Sequence, residues 1–222
     1  MKKKEQGSRG FSEQYWEVNY SESEEMDGIG NASEHAAYLK QLFALEFIDI
    51  SSVLDLGAGL GHLFEAVLAT FLPYRAMAVE PSTYAFKALK GRTLKPVEST
   101  RLELHQMDLL TWSQKSGKFE KHFDLTLCTS VFQYLTEEEI DQLVPVLAKR
   151  TRYLYLTVPT DIELKRQRED LDFDDEYAYS RTRAFYQRKL RSHFTFVAHR
   201  LLESKEHFDE SNTSFTDLLF RF

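Results

Sequence analysis

Short apolar segments alternate with amphipathic segments through the middle of the chain. The apolar runs are short, and the run Phe123–Thr129 is apolar enough for a strand that is covered on both faces. Five of them are Ser52–Leu56, Arg75–Glu80, Arg101–Gln106, Phe123–Thr129 and Tyr153–Val158. The stretches between them include helical periodicities over His62–Leu72, from Ser82 to Gly91 and from Thr136 through Leu147. Strands that alternate with helices predict a parallel sheet with helices on both faces.

The predicted pattern also has a helix before the first strand and a helix after the fifth. The first of these begins near Asn31, which has the spacing of a capping box with Glu34, and Thr136 has the same spacing with Glu139. A polar, charge-alternating insert over Pro159–Ser180 is expected to be solvated, and a helix follows around Arg181–Arg191. We then expect two strands, Phe194–Leu202 and Ser214–Phe222, joined by a polar loop over Glu203–Thr213. Without a crossover helix these strands must be antiparallel. The sequence predicts an α/β fold, a doubly wound and mostly parallel seven-stranded sheet with a C-terminal antiparallel hairpin.

The length of 222 residues suits one domain, which we place at residues 31–222. Residues 1–30 are polar, with aromatic side chains at Phe11, Tyr15, Trp16 and Tyr20. We expect a flexible N-terminal arm there. Two hypotheses for its aromatic residues stay open: they form a lid over the site, or they belong to the core.

Charge and cysteine content exclude several classes of protein. The net charge of −7 argues against a protein that binds by neutralising many phosphates, so nucleic acid is disfavoured as a partner. Cys128 is the single cysteine, which rules out an intramolecular disulfide and a cysteine-based metal cluster. No apolar run approaches the ~18 residues of a membrane span. We therefore expect a cytoplasmic protein without a metal site or a membrane partner.

The turn after the first strand carries the candidate chemistry. Ligands of open α/β sheets bind beyond the carboxyl ends of the strands, where Gly57, Gly59 and Gly61 would let one approach the backbone. The spacing departs from the dinucleotide motif, because its sixth position is His62 instead of glycine. Glu80 ends the second strand, where a carboxylate can accept both hydroxyls of a ribose. Asp108 follows the third strand and could accept a hydrogen bond from an exocyclic amine.

Four segments together resemble the successive motifs of the class I S-adenosylmethionine-dependent methyltransferases. They are Val53–Gly61, Ala78–Ser82, Gln106–Leu109 and Phe123–Cys128. The resemblance implies S-adenosylmethionine as cofactor. It places the methionine end of the cofactor against Asp55, Gly57, Ala58, Gly59 and Gly61, the ribose at Glu80 and Pro81, and the adenine at Met107, Asp108 and Leu109.

The same resemblance implies a methyl-transfer cleft after the fourth strand. Thr129 would border the cofactor there, and Gln133 and Tyr134 would contact the acceptor, together with Tyr15, Trp16, Tyr20 and His35. Many relatives carry histidine near the position of Gln133. We name no catalytic base, because methyl transfer from a sulfonium can rest on positioning and exclusion of water. His62, at the predicted start of a helix, is more typical of a capping or packing residue than of a base.

Three functions stay open at this point. The favoured one is methyl transfer to an oxygen or nitrogen of a small molecule, because the additions to the core are modest. A protein or RNA acceptor is the alternative within the same chemistry. From another class, a nicotinamide-dependent oxidoreductase or a non-catalytic cofactor-binding protein would use a related sheet. The identity of the acceptor and the oligomeric state do not follow from the sequence.

Overall fold

One seven-stranded sheet organises the molecule, in the order β3-β2-β1-β4-β5-β7-β6. The computed structural model describes residues 27–115, 121–171, 175, 177–208, 211 and 213. Strands β1 to β5 are parallel, and β7 runs antiparallel to both β5 and β6. The strands are β1 Ser52–Leu56, β2 Arg75–Val79, β3 Arg101–His105, β4 Phe123–Thr129, β5 Thr151–Thr157, β6 Phe194–Ala198 and β7 Leu201–Ser204.

Seven α-helices accompany these strands in the described part of the chain. They are α1 Ala32–Leu45, α2 His62–Phe71, α3 Thr83–Lys90, α4 Leu109–Lys115, α5 Glu137–Arg150, α6 Asp161–Leu171 and α7 Arg183–Arg191. Helices α1 to α3 contribute apolar side chains to the core on one face of the sheet, and α4, α5 and α7 to the core on the other. None of the described helices is long and apolar enough to cross a membrane.

The register of the parallel strands places defined residues side by side. Asp55 pairs with Ala78 on β2 and with Leu127 on β4, and Leu127 pairs with Tyr155 on β5. Paired residues of parallel strands point to the same face of a sheet, because the side chains alternate with a period of two. Asp55 and Tyr155 therefore lie in one row, on the face that α1 to α3 cover.

The predicted fold class is confirmed, with shifts of one or two residues at strand and helix ends. Two predicted caps are present: the Ser82 hydroxyl accepts from the Ala85 amide, and Thr136 with Glu139 forms a complete capping box. Cys128 is a buried core residue, as expected. Helix α2 ends at Phe71, one residue early, because Leu72 adopts a left-handed conformation.

The predicted boundaries of the C-terminal hairpin are wrong. The first predicted strand, Phe194–Leu202, contains all of β6 and the first half of β7, and the chain reverses tightly at Arg200, whose φ is +64°. Glu203 looks like a loop residue in the sequence, but it is buried in β7 and its carboxylate accepts from the Thr213 hydroxyl. The predicted strand Ser214–Phe222 lies outside the described residues.

Two local predictions also need correction. Helix α1 begins as expected after Asn31, but the Asn31 side chain accepts from the Gly28 amide and donates to Asp27 instead of capping the helix. The capping box with Glu34 is therefore absent. The polar insert after β5 is not merely solvated, because it contains helix α6 and contacts the loop after β4.

Candidate functional site

The turn after β1 is held against the carboxyl end of β2. The amides of Gly57 and Ala58 both donate to the carbonyl oxygen of Val79, at 2.8 and 3.2 Å. Gly57, Gly59 and Gly61 have φ values of +77°, +55° and +82°, in the left-handed region that favours glycine. The predicted glycine turn is thus a tight loop with a conformation that side chains disfavour.

Two of these glycines are also required by close packing. A Cβ atom on Gly57 would lie 2.5 Å from Cγ2 of Val131, and one on Gly61 would lie 2.5 Å from Cδ1 of Leu89. Val131 belongs to the loop after β4, and Leu89 belongs to α3. The missing side chain at Gly57 therefore brings the β4 loop directly against the β1 turn, which joins the two halves of the candidate site.

Glu80 connects the glycine turn to the start of α3. Its Oε2 accepts from the Gly59 amide and its Oε1 from the Ser82 amide, both at 2.8 Å. Burial raises the pKa of Glu80 to about 7, although these two amides oppose the shift. Each carboxylate oxygen has a second lone pair. Glu80 can thus hold the turn and accept ligand hydroxyls at the same time.

Asp55 is a buried acid without a donor. Its carboxylate accepts no hydrogen bond from the described residues, and burial, with the nearby charge of Glu80, raises its pKa to about 8. An unpaired buried carboxylate is costly when ionised. A cationic group bound beside it would remove that cost. Asp55 therefore has the electrostatics expected of a residue that faces a positively charged ligand.

Asp108 has a local structural role in addition to its predicted one. Its two oxygens accept from the amide and the hydroxyl of Thr111, at 2.8 Å each, which caps helix α4. Burial would raise its pKa, but these bonds from Thr111 and the neighbouring amides hold it below the usual value. Contact of Asp108, Met107 and Leu109 with an adenine stays a prediction.

The loop after β4 carries a buried polar group without a partner. Gln133 is 2% exposed, and its side-chain Oε1 has no hydrogen-bond partner among the described residues. Its backbone oxygen accepts from the Tyr179 amide at 2.8 Å, and the Tyr134 hydroxyl donates to Asp175 at 2.5 Å. The insert after β5 therefore packs against this loop. The Oε1 atom of Gln133 stays available to accept a hydrogen bond.

The structure separates the remaining predicted residues. His35 lies in the first turn of α1 and approaches the Tyr155 hydroxyl at 2.5 Å. Tyr15, Trp16 and Tyr20, with the proposed lid, lie outside the described residues. His62 opens α2 and is partly buried, which lowers its pKa.

Sequence reasoning missed the residues around His35. Asp27, Tyr155 and Arg200 surround it, although they come from three distant parts of the chain. Tyr155 offered no distinct signal, because its strand β5 also carries the hydroxyls of Thr151, Tyr153 and Thr157. Asp27 and Arg200 offered none, since both lie in polar stretches.

Comparison with known proteins finds one family match, over the central part of the chain. Residues 54–154 match the family model described as a methyltransferase domain. No curated protein matches the chain by sequence.

Solved structures show the same fold at low sequence identity. The plantazolicin methyltransferase BpumL, in complex with a pentazolic desmethylPZN analog and SAH, is 12% identical, with a TM-score of 0.65 over 82% of this chain and 70% of that chain. The magnesium protoporphyrin IX methyltransferase ChlM from Synechocystis PCC 6803, with bound SAH, is 16% identical, with a TM-score of 0.53 over 78% of this chain and 81% of that chain.

Proposed function

We propose that this chain, a class I S-adenosylmethionine-dependent methyltransferase, transfers the methyl group to an oxygen or nitrogen of a small molecule. One observation supports oxygen or nitrogen as the methylated atom: the side-chain oxygen of Gln133 is buried and accepts no hydrogen bond from the described residues. It lies two residues from Val131, which packs against the glycine turn.

The residues of the glycine turn fit the cofactor. S-adenosylmethionine carries a sulfonium and an ammonium at its methionine end, which suits a buried carboxylate such as Asp55, to which no described residue donates a hydrogen bond. Glu80 lies one residue beyond β2, where its free lone pairs can accept the ribose hydroxyls. The cofactor supplies a methyl group on a positively charged sulfur that leaves as a neutral thioether. The protein has to bind, orient and exclude water.

Gln133 supports a nucleophile that bears hydrogen. Buried acceptor atoms in folded proteins almost always have a donor, so an unused one beside a ligand site is a place for a ligand's donor. An N–H or O–H group of the acceptor supplies such a donor. Its hydrogen bond to Oε1 would fix the orientation of the attacking lone pair. A carbon nucleophile would leave the Gln133 oxygen without a partner.

A small acceptor is supported by the surroundings of the cleft. The insert after β5 packs on the loop of Gln133 through Tyr179 and Asp175, which narrows the approach from that side. The net charge of −7 disfavours RNA. Two proteins of the same fold are named for small or peptide-like substrates, plantazolicin and magnesium protoporphyrin IX. A protein acceptor is the second candidate.

Replacing Glu80 tests the proposed binding site of the cofactor ribose. Glu80→Gln retains one acceptor oxygen but loses the charge, so we expect SAH to bind about 1–3 kcal/mol more weakly, which titration calorimetry measures. The matched control is Glu103→Gln on the neighbouring edge strand β3, where affinity should not change. Unchanged SAH affinity in folded Glu80→Gln would refute the ribose role.

A fractionation experiment tests the class of acceptor. The protein is incubated with methyl-labelled S-adenosylmethionine and either the low-molecular-weight or the macromolecular fraction of a cell extract. We expect label to enter the small-molecule fraction. Label found only in protein or RNA would contradict a small acceptor.

The same assay tests the role of Gln133. We expect Gln133→Leu to reduce transfer about 10- to 100-fold, because the acceptor loses one buried hydrogen bond, while SAH affinity stays within twofold. Gln142→Leu makes the same change on the exposed surface of α5 and should be neutral. Full activity in Gln133→Leu would show that its oxygen does not contact the acceptor.

A further inference from the structure

A chain of hydrogen bonds links a buried tyrosine to a half-exposed carboxylate. The Tyr155 hydroxyl lies 2.5 Å from Nδ1 of His35, and Nε2 of the same ring lies 2.8 Å from Oδ1 of Asp27. Arg200 flanks the chain, with one guanidinium nitrogen 3.2 Å from Oδ2 of Asp27 and 3.2 Å from Nδ1 of His35. We call these four residues the Tyr155 chain.

The inner end of the Tyr155 chain faces the same side of the sheet as the candidate cofactor site. Tyr155 and Asp55 share one row and are separated only by Leu127, so their backbones are about 10 Å apart. Two residues further along β5, towards its carboxyl end, Thr157 has a buried hydroxyl without a partner among the described residues. The inner end of the chain therefore lies two strands from Asp55, near the carboxyl ends of the strands, where the candidate cofactor site lies.

Exposure rises along the chain from one end to the other. Tyr155 is 1% exposed and His35 is 6% exposed, whereas the side chain of Asp27 is 47% exposed. Bulk water does not compete for the inner hydroxyl, but it reaches the outer carboxylate. This gradient is what a path for a proton from a closed site to solvent requires.

The charges around His35 set the direction of the hydrogen bonds. The charged groups are Asp27 and Arg200, and the titratable hydroxyls of Tyr38 and Tyr155 lie near them. The hydrogen bond from His35 holds the pKa of Asp27 well below its usual range, so Asp27 is ionised and Nε2 of His35 carries the hydrogen. Burial raises the pKa of Tyr155, which keeps its hydroxyl protonated. Tyr155 then donates to the bare Nδ1 of His35.

We propose that the Tyr155 chain is the exit path for the proton that the methyl acceptor loses. The proposal rests on the proposed function, since it concerns an acceptor with an O–H or N–H group. Tyr155 would contact the acceptor directly, after binding of the acceptor has displaced the groups that cover its hydroxyl. His35, Asp27 and Arg200 act through Tyr155 and are positioning residues.

The step balances in atoms and charge. The bond between methyl and sulfur breaks, its electron pair stays on sulfur, and a new bond joins the methyl group to the acceptor. The acceptor proton moves to the Tyr155 oxygen as the original hydroxyl proton moves to Nδ1 of His35. The resulting imidazolium lies between Tyr155 and the ionised Asp27, and its Nε2 proton reaches solvent through that half-exposed carboxylate.

The tautomer of His35 tests the chain without any acceptor. Nitrogen NMR of the ¹⁵N-histidine protein with bound SAH should show the hydrogen of neutral His35 on Nε2 and a bare Nδ1. A hydrogen on Nδ1 would make Tyr155 the acceptor of the bond and would overturn the proposal, whatever the protein methylates.

Turnover then tests the path itself, with phenols, hydroxy acids and primary amines as the acceptor panel. We expect Tyr155→Phe and His35→Asn to lower kcat about 100-fold while SAH affinity is kept, because Asn accepts the tyrosine hydrogen bond but cannot take the proton. Both variants should keep the KM for S-adenosylmethionine, so that the loss appears in kcat alone. Tyr38→Phe is the matched control, since the only hydrogen bond of its hydroxyl to a described residue is to the carbonyl of His199 in the β6–β7 turn.

Each outcome of the turnover test bears on a different claim. If Tyr155→Phe and His35→Asn keep the wild-type kcat, the exit path is overturned and the proposed function stays intact. Variants that lose stability with an unchanged kcat would assign the chain to structure alone, which also overturns it. A wild type that binds SAH but methylates no member of the panel would overturn the path for this acceptor class together with the small-molecule proposal.

Discussion

Replacing Asp55 with asparagine is expected to stabilise the cofactor-free protein while removing most of its affinity for S-adenosylmethionine. The pKa of Asp55 rises from 3.8 to about 8 on folding, because burial disfavours the charge. Between these values the folded protein holds a proton that the unfolded chain releases, so the free energy of unfolding falls as pH rises from about 4 to about 8. Asparagine removes this cost because it carries no charge.

Denaturation at two pH values measures the effect. At pH 8 we expect Asp55→Asn to raise the free energy of unfolding by about 2–4 kcal/mol, and at pH 5 to raise it by clearly less, since the folded carboxyl is then protonated and only the ionised carboxyl of the unfolded chain, with its pKa of 3.8, makes a difference. Calorimetry should show S-adenosylmethionine binding at least about 10-fold more weakly to the variant, because its cationic end loses an ionised partner.

Asp124→Asn provides the contrasting control. One oxygen of Asp124 accepts hydrogen bonds from the amides and hydroxyls of Ser51 and Ser52, at 2.9 to 3.0 Å. This cluster lies at the amino-terminal ends of β1 and β4, away from the glycine turn. Replacing Asp124 should destabilise the protein at both pH values and leave cofactor affinity unchanged. An Asp55→Asn variant that is less stable than wild type at pH 8 would contradict the account of Asp55.

Adding a single methyl group at Gly57 is expected to be among the most damaging small changes. The new Cβ would lie 2.5 Å from Val131, and the residue would have to keep a φ of +77°. We expect Gly57→Ala to lower the free energy of unfolding by about 2–4 kcal/mol, as measured by denaturation. Because the β4 loop must move, binding of SAH and methyl transfer should both fall more than about 10-fold.

Gly28→Ala separates backbone strain from the clash. Gly28 has nearly the same φ, +83°, but a Cβ there would meet nothing within 4 Å. It should cost only about 1–2 kcal/mol. The double variant Gly57→Ala, Val131→Ala should recover the difference between the two single glycine changes. Equal losses at Gly28 and Gly57 would show that contact with Val131 does not matter.

The parts of the fold that follow from local pattern were predictable from the sequence. The parallel strands β1, β2, β3 and β5 are followed closely by Gly57, Pro81, Asp108 and Pro159, so Asp55, Glu80 and Asp108 could be assigned to the carboxyl ends of their strands. Once they are at those ends, their proximity follows from parallel topology. The resemblance to a family then gave the cofactor, which composition and periodicity alone could not.

The remaining features depend on contacts between distant segments. Glu203 is polar and so resembles a loop residue, and only its pairing with Tyr153 on β5 shows that it belongs to a strand. The Tyr155 chain joins residues separated by 120 and 165 positions in the sequence, for which no local pattern exists. The unused oxygen of Gln133 is likewise visible only when its neighbours are known.

Titration calorimetry with three adenosine-containing ligands tests the central claim most directly. The account predicts that S-adenosylmethionine and SAH bind the wild-type protein with micromolar-scale affinity, that Glu80→Gln weakens both, and that NAD produces no binding heat. Binding of NAD, with none of either sulfur compound, would contradict the assignment of the glycine turn and of the chemistry proposed around it.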